Sequence, residues 1–342
     1  MTRTSSDERA RSGGSTRPAD PRRGIRRLAL TSTGATLLLI AMGGAVRATD
    51  SGLACPDWPA CYGKWIPPAD VNMWFEHSHR LWAGVVGLLI LWLTVLAFAR
   101  HRDDPRLWRI GVLACVLVLI QAGLGAAVVL LHLRAGLVTS HLAMSWIIVA
   151  CLVVMVALAR RPAVDPPGDG PTRQFERTVG RWSAIVAVAV LAQGSLGSQA
   201  TGRGAAYVYN AVPFWLADQP WTGHIREVLH LTHRFGGYLV AAAVIWLAVF
   251  AIRRRRSTPG TPRWIAIVPA TAVALVVIQV GLGISNVLTR AEVWSAIGHL
   301  TVASWLWTAV VAGAARGLTQ PAPRSQDPVD GPAPAEDVVV SR

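Results

Sequence analysis

Residues 121–146, QAGLGAAVVLLHLRAGLVTSHLAMSW, return in altered form as residues 279–305, QVGLGISNVLTRAEVWSAIGHLTVASW. In both copies a glutamine stands twenty residues before a histidine, at Gln121 and His141 and again at Gln279 and His299. A Ser-Trp pair follows each histidine, Ser145-Trp146 in one copy and Ser304-Trp305 in the other. Upstream, His77-Ser78-His79-Arg80 is echoed by Leu231-Thr232-His233-Arg234. His79 precedes Gln121 by 42 residues and His233 precedes Gln279 by 46. Self-similarity at one offset constrains fold and function together, because both copies must solve the same packing problem.

The repeated landmarks lie in apolar stretches. A membrane-spanning helix needs roughly 20 mostly apolar residues, and eight such stretches occur, near 28–46, 80–99, 108–131, 137–159, 182–199, 232–252, 264–288 and 296–315. Each copy takes four spans. An even number returns the chain to the same side, so the copies enter the membrane alike and form a parallel repeat. The expected fold is an all-α integral membrane protein of eight transmembrane helices, built as two pseudo-symmetric four-helix bundles. The glycines at 123 and 125, and at 281 and 283, suit close helix contact in lipid.

Composition agrees. With 52% hydrophobic and 15% charged residues among 342, too little polar surface exists to coat a soluble globule. The formal charge of +14 does not point to nucleic acid, because the basic residues form short clusters between apolar runs. Arg22, Arg23, Arg26 and Arg27 precede the first span; Arg100, Arg102, Arg106 and Arg109 separate spans two and three. Arg160, Arg161, Arg173 and Arg177 follow span four, and Arg253 to Arg256 follow span six. By the positive-inside rule these loops and both termini are cytoplasmic. Residues 1–27, rich in Arg, Ser, Gly and Pro, read as a disordered basic N-terminus. No small-residue cleavage site follows the first span, so it reads as an anchor, not a removed signal. The expected organisation is then a first half at 28–159, a linker at 160–181, a second half at 182–316 and a disordered cytoplasmic tail at 317–342.

Four cysteines occur. Cys115 and Cys151 lie within apolar spans and read as small buried hydrophobes. Cys55 and Cys61 bracket CPDWPAC in the long first external loop, where a disulfide can persist; zinc is the other reading, though no further Cys or His completes four ligands.

His79, His141, His233 and His299 share one depth, just inside the external ends of even-numbered spans. An ionisable side chain in a membrane is costly and usually faces a partner within the bundle. Two imidazoles on facing helices at one depth suit axial ligation of a heme iron. His79 with His141 forms a first pair and His233 with His299 a second. Arg80 and Arg234 each follow a candidate ligand and can meet a heme propionate or snorkel to the interface. Trp82, Trp146 and Trp305 are candidates for pocket walls or for simple packing. Glu76 stands three residues before His79, on the same helix face, where the other half has His230. That asymmetry predicts different tasks for the two sites: a proton-handling carboxylate in the first, or else an interfacial carboxylate in water.

Read together, Gly43-Gly-Ala-Val-Arg-Ala-Thr-Asp-Ser-Gly-Leu-Ala-Cys-Pro-Asp-Trp-Pro-Ala-Cys61, then Gly63-Lys-Trp-Ile-Pro67 and Glu76-His-Ser-His-Arg80, resemble the heme A synthase family. The likeness spans roughly residues 28–316. It implies oxidation of a ring methyl (C8) of heme O to a formyl group through successive hydroxylations, giving heme A for terminal oxidases. It also implies a bound heme B with His233 and His299 as axial ligands, and substrate heme O held in the first half by His79 and His141 with Arg80 nearby. Arg234 would then contact a heme propionate. Glu76 matches the family's catalytic carboxylate, and Cys55 and Cys61 its external disulfide. Contacts with a heme O synthase and with an electron donor are further implications. A second cysteine pair found in some bacterial members is absent from residues 200–231.

Overall fold

The computed structural model describes residues 20–160, 170–209 and 222–319, and among these the regular structure is helical, with no strand. The elements are α1 (Arg23–Ala48), α2 (Val71–Arg100), α3 (Pro105–Leu130), α4 (Ala135–Leu158), α5 (Pro171–Gly202), α6 (Ile225–Arg256), α7 (Trp264–Leu288) and α8 (Val293–Leu318), with a 3₁₀ turn at Ala205–Tyr207. All eight α-helices are long and apolar enough to cross a membrane. At about 1.5 Å per residue, even the 24 residues of α4 outreach a hydrocarbon layer of about 30 Å.

Several helices begin earlier than their apolar stretches. The Asp70 carboxylate accepts the N–H of Met73 at 3.0 Å and caps α2, so the polar segment holding Glu76, His79 and Arg80 is helical although hydropathy passes over it. Pro171 opens α5 inside the expected linker, where a missing N–H costs nothing. Most of the N-terminal segment, the tail and the middle of the linker lie outside the described residues.

The helix contacts close into two sets. α1 packs on α2 and α4, and α3 on the same two; α5 packs on α6 and α8, and α7 on the same two. The sets meet through α1 and α4 on one side and α5 and α8 on the other. The loops after α1, α3, α5 and α7 lie at one end of the molecule, called here the disulfide end. The opposite, arginine end is tied by Arg22, which bonds Asp104 at 3.0 Å and the Leu158 carbonyl at 3.3 Å.

The main apolar core lies at the junction of the two sets, with Ile40, Trp146, Val149, Val190, Leu306 and Trp307 at its centre. Trp146 and Trp307 stack at 5.7 Å between ring centres. The indole N–H of Trp146 donates to Ser304 Oγ at 3.0 Å, and that of Trp307 to the Trp146 carbonyl at 2.8 Å. Elsewhere α5 and α8 cross nearly backbone to backbone, since a Cβ at Gly317 would lie 2.6 Å from the Gly180 Cα.

Candidate heme-binding site

Each of the four histidines lies about two turns inside its helix from the disulfide end. His79 is eight residues past Val71 and His233 eight past Ile225; His141 is six past Ala135 and His299 six past Val293. Each ring is partly buried and rests on a glycine of the preceding helix. A Cβ added at Gly43 would lie 3.0 Å from Cε1 of His79. At Gly125 it would lie 3.2 Å from His141, at Gly197 2.6 Å from His233, and at Gly283 3.3 Å from His299. All four glycines stand five residues before the last residue of their helix, at Ala48, Leu130, Gly202 and Leu288. Depth is therefore set twice, by the histidine and by the notch that receives it. The sequence reading assigned Gly123 and Gly281 to close packing as well, but an added Cβ at either meets nothing within 4 Å.

The notch has a second wall one turn earlier. Four residues before the notch glycines stand Leu39, Gln121, Gln193 and Gln279. Three of these residues send a side-chain amide onto the histidine of their notch. Gln121 donates to the His141 carbonyl at 2.9 Å and to Ser145 Oγ at 2.6 Å. Gln193 donates to the His233 carbonyl at 2.5 Å and meets its Nδ1 at 2.9 Å, and Gln279 lies 3.1 Å from His299 Nε2. Sequence reasoning overlooked Gln193 and Gly197, although the pattern Gln-x-x-Leu-Gly that they share with 121–125 and 279–283 was there to find. Leu39-Ile-Ala-Met-Gly43 keeps the glycine of this pattern, with Leu39 in place of glutamine and Met42 in place of leucine.

His233 and His299 face each other with ring centres 6.4 Å apart and planes crossing at 73°. An iron bonded to both rings at about 2 Å puts their centres about 6 Å apart, and the rings are free to cross about that axis. Among the described residues no three His, Cys, Asp or Glu side chains gather as a bare metal requires. Two opposed imidazoles suit a macrocycle that brings its own four nitrogens. Nδ1 of His299, like that of His79 and His141, has no bonded partner, and the Gln279 amide oxygen is also unpaired. That amide is thus able to turn away from Nε2. The residues fit a heme between His233 and His299. His79 and His141 lie within electrostatic reach of one another.

Above the first pair sits the disulfide loop, and Cys55 and Cys61 are bridged. Glu76, 3% exposed, accepts the Cys55 N–H at 2.8 Å and pairs with Arg80 at 2.5 Å. Burial rules out a carboxylate standing in water. Arg80 does not snorkel: its terminal nitrogens donate to the carbonyls of Asp57 at 2.6 Å, Ala60 at 2.5 Å and Cys55 at 3.0 Å as well as to Glu76, and only Nε is unpaired. Within the loop, Tyr62 and Gly63 both take positive φ, and Cys61 and Lys64 exchange main-chain bonds across them. The Asp57 carboxylate accepts the N–H groups of Tyr62 at 2.6 Å and Gly63 at 2.7 Å. Those bonds, that from Gly63 foremost, hold the Asp57 carboxyl below the usual aspartate range. In the other half His230 occupies the place of Glu76, and its Nδ1 donates to the Ala205 carbonyl at 2.8 Å. Both residues therefore clasp the loop above their histidine. Of the candidate wall tryptophans, Trp82 bonds the Ala35 carbonyl within the first helix set, Trp146 lies in the junction, and Trp305 is 55% exposed on the outer surface. Two residues on, Trp307 is buried and takes the interior position.

A profile of the COX15-CtaA family, the cytochrome oxidase assembly proteins, matches residues 26–311. The chain belongs to that family. Among its relatives, the heme A synthase of Shewanella oneidensis is 29% identical over 308 residues, covering 77% of this chain and 88% of that one. The heme A synthase of Shouchella clausii is 25% identical over 296 residues, covering 84% and 94%. A shorter likeness, 36% over 126 residues, links the chain to the heme A synthase of an Exiguobacterium species. The family match begins within α1 and ends within α8, so all four notches fall inside it.

Proposed function

We propose that this chain is a heme A synthase, a multi-pass membrane oxidoreductase that converts a ring methyl of heme O into a formyl group. The observation that carries this reading is the set of four imidazoles seated on four glycines at one depth, within a chain of the COX15-CtaA family. The two helix sets act as a parallel repeat with divided labour. Residues 28–159 hold the substrate between His79 and His141. Residues 182–316 hold heme B between His233 and His299, where the bound group supplies a reversible one-electron couple. Arg234, next to His233, is placed to meet a propionate. Arg80 spends its terminal nitrogens on the loop and keeps only Nε for a substrate carboxylate.

Glu76 is the carboxylate one turn from His79, placed to exchange the protons that methyl hydroxylation moves there. Two hydroxylations, each a two-electron oxidation of the methyl carbon that takes its oxygen atom from water or dioxygen, give a gem-diol, and loss of water leaves the formyl group. The disulfide loop, fastened by Arg80 and Glu76, covers this pair and limits water. By charge the arginine end faces the cytoplasm and the histidines lie near the external face of the cell membrane. A heme O synthase in the same membrane supplies the substrate, and an electron donor or acceptor meets the second half.

The test is to express the chain in cells that make heme O, extract the hemes and identify them by chromatography and mass. Heme A or its hydroxylated precursor, absent from a Glu76→Ala strain, supports the reading. Unchanged heme O beside a reducible heme B would instead make the protein an electron-transfer cytochrome.

A further inference from the structure

Four notches share one geometry, and one differs in composition. At the position four before the notch glycine stand Gln121, Gln193 and Gln279, whereas α1 has Leu39. Each glutamine amide bonds the ring or the main chain of the histidine it faces. Among the described residues no side-chain amide reaches His79; its buried Nδ1 has no bonded partner, but neither have those of His141 and His299, so the missing amide is the difference. Leucine is close to glutamine in size, so the first notch is filled but not bonded. The difference lies in what holds the ring, not in how much space it has.

We infer that Gln121 and Gln193 make His141 and His233 fixed ligands, and that Leu39 leaves His79 as the releasable ligand through which the first pocket exchanges its heme. This rests on the ligand assignment made above. Partners of a ligating imidazole orient the ring and raise its retention, and their loss typically weakens a metal site 10- to 100-fold. A ring with no such partner swings away once its bond to iron breaks. A histidine held by an amide, through its ring at His233 or its main chain at His141, stays in line and re-forms the bond. The asymmetry matches what the two halves must do. A resident group in the second half has to stay, while a substrate in the first has to enter as heme O and leave as heme A. His141, tied to Gln121, keeps that heme in register while the other axial position opens.

The full-length protein purified from heme O-producing cells is mixed with excess apomyoglobin, and the hemes remaining are extracted over time and separated by type. Heme O and heme A are expected to leave faster than heme B. Leu39→Gln should slow their departure about tenfold and leave heme B untouched. Gln193→Leu should hasten the loss of heme B about tenfold and alter its low-spin spectrum. Unchanged release from both substituted proteins would overturn the inference. Because Leu39→Gln can disturb folding, Gln121→Leu provides a second test in the first pocket, where faster release is expected and parental release counts against the idea. His79→Ala and His233→Ala are measured alongside. If neither changes the heme it is assigned to, the ligand assignment itself fails. If both do while the glutamine and leucine exchanges have no effect, only the present inference fails.

Discussion

Glu76 accepts the main-chain N–H of Cys55 at 2.8 Å, so a single buried carboxylate joins the disulfide loop to the helix that carries His79. Its other oxygen pairs with Arg80, which holds four loop carbonyls in turn, those of Cys55, Asp57, Pro59 and Ala60. A glutamine at this position can still accept from Cys55 but cannot take up a proton. Glu76→Gln is therefore expected to keep the loop closed while heme A formation falls about 100-fold or more. Glu76→Ala should lose both, because it also removes the acceptor that Cys55 N–H and Arg80 share. Extracted hemes report the chemistry, and cleavage at Lys64 by an added protease reports the loop. Heme A at the parental level in Glu76→Gln would remove the carboxylate from the reaction.

How much of this was legible follows from what each signal measures. Hydropathy located eight spans but started α2 at residue 80, since Glu76, His77, His79 and Arg80 dilute the apolar average. The cap at Asp70 that makes the segment helical is a local hydrogen bond invisible to an average. The repeat revealed Gln121, Gly125, Gln279 and Gly283 because their halves kept a long common pattern. Gln193 and Gly197 stood in a helix with no longer match around them. The direction of Arg80 was beyond reach, because a guanidinium beside a heme ligand and one clamping a loop have the same sequence; only the fold of residues 55–61 distinguishes them.

The notch glycines provide a test of positioning. At Gly197 an added methyl meets the His233 ring at 2.6 Å, too close for any Cβ, and the ring must move. At Gly123 it meets nothing within 4 Å. Gly197→Ala should lower heme B content about tenfold or more, and Gly123→Ala should leave it unchanged despite the slight gain in helix propensity. The heme-to-protein ratio of the purified proteins decides. Equal heme B in the two would mean that the notch does not set the ring.

Asp57 sets the pH range of the disulfide loop. Its folded carboxyl titrates below the ordinary aspartate value, so its contribution is complete above that value and is lost as pH falls through the lower folded one. The loop should resist cleavage at Lys64 equally from about pH 8 to about pH 5, and open only below the usual aspartate range near about 3.9. Asp57→Ala should open it at every pH in that range, because Tyr62 and Gly63 lose their acceptor. Opening of the parental loop between pH 5 and 6 would show that another group governs it.

The junction of the two helix sets depends on Trp146 more than on Trp307, although the rings stack as equals. Trp146 donates to Ser304 Oγ, a bond across the junction between two side chains, whereas Trp307 donates to a carbonyl already within a helix. The Trp146 ring also lies against Gly194 of α5, where no side chain could stand. Trp146→Phe gives up the hydrogen bond, worth about 1 kcal/mol, and part of the packing, for an expected loss near 1–2 kcal/mol. Trp307→Phe should lose less, and Trp146→Ala about 3–5 kcal/mol. Thermal unfolding in detergent ranks the three. His233 and His299, the proposed heme B ligands, stand on α6 and α8, so Trp146→Phe should leave heme B content unchanged at ordinary temperature while lowering the unfolding midpoint. If Trp307→Phe proved the more damaging, the junction would be held by the stack itself and not by the bond from Trp146 to Ser304.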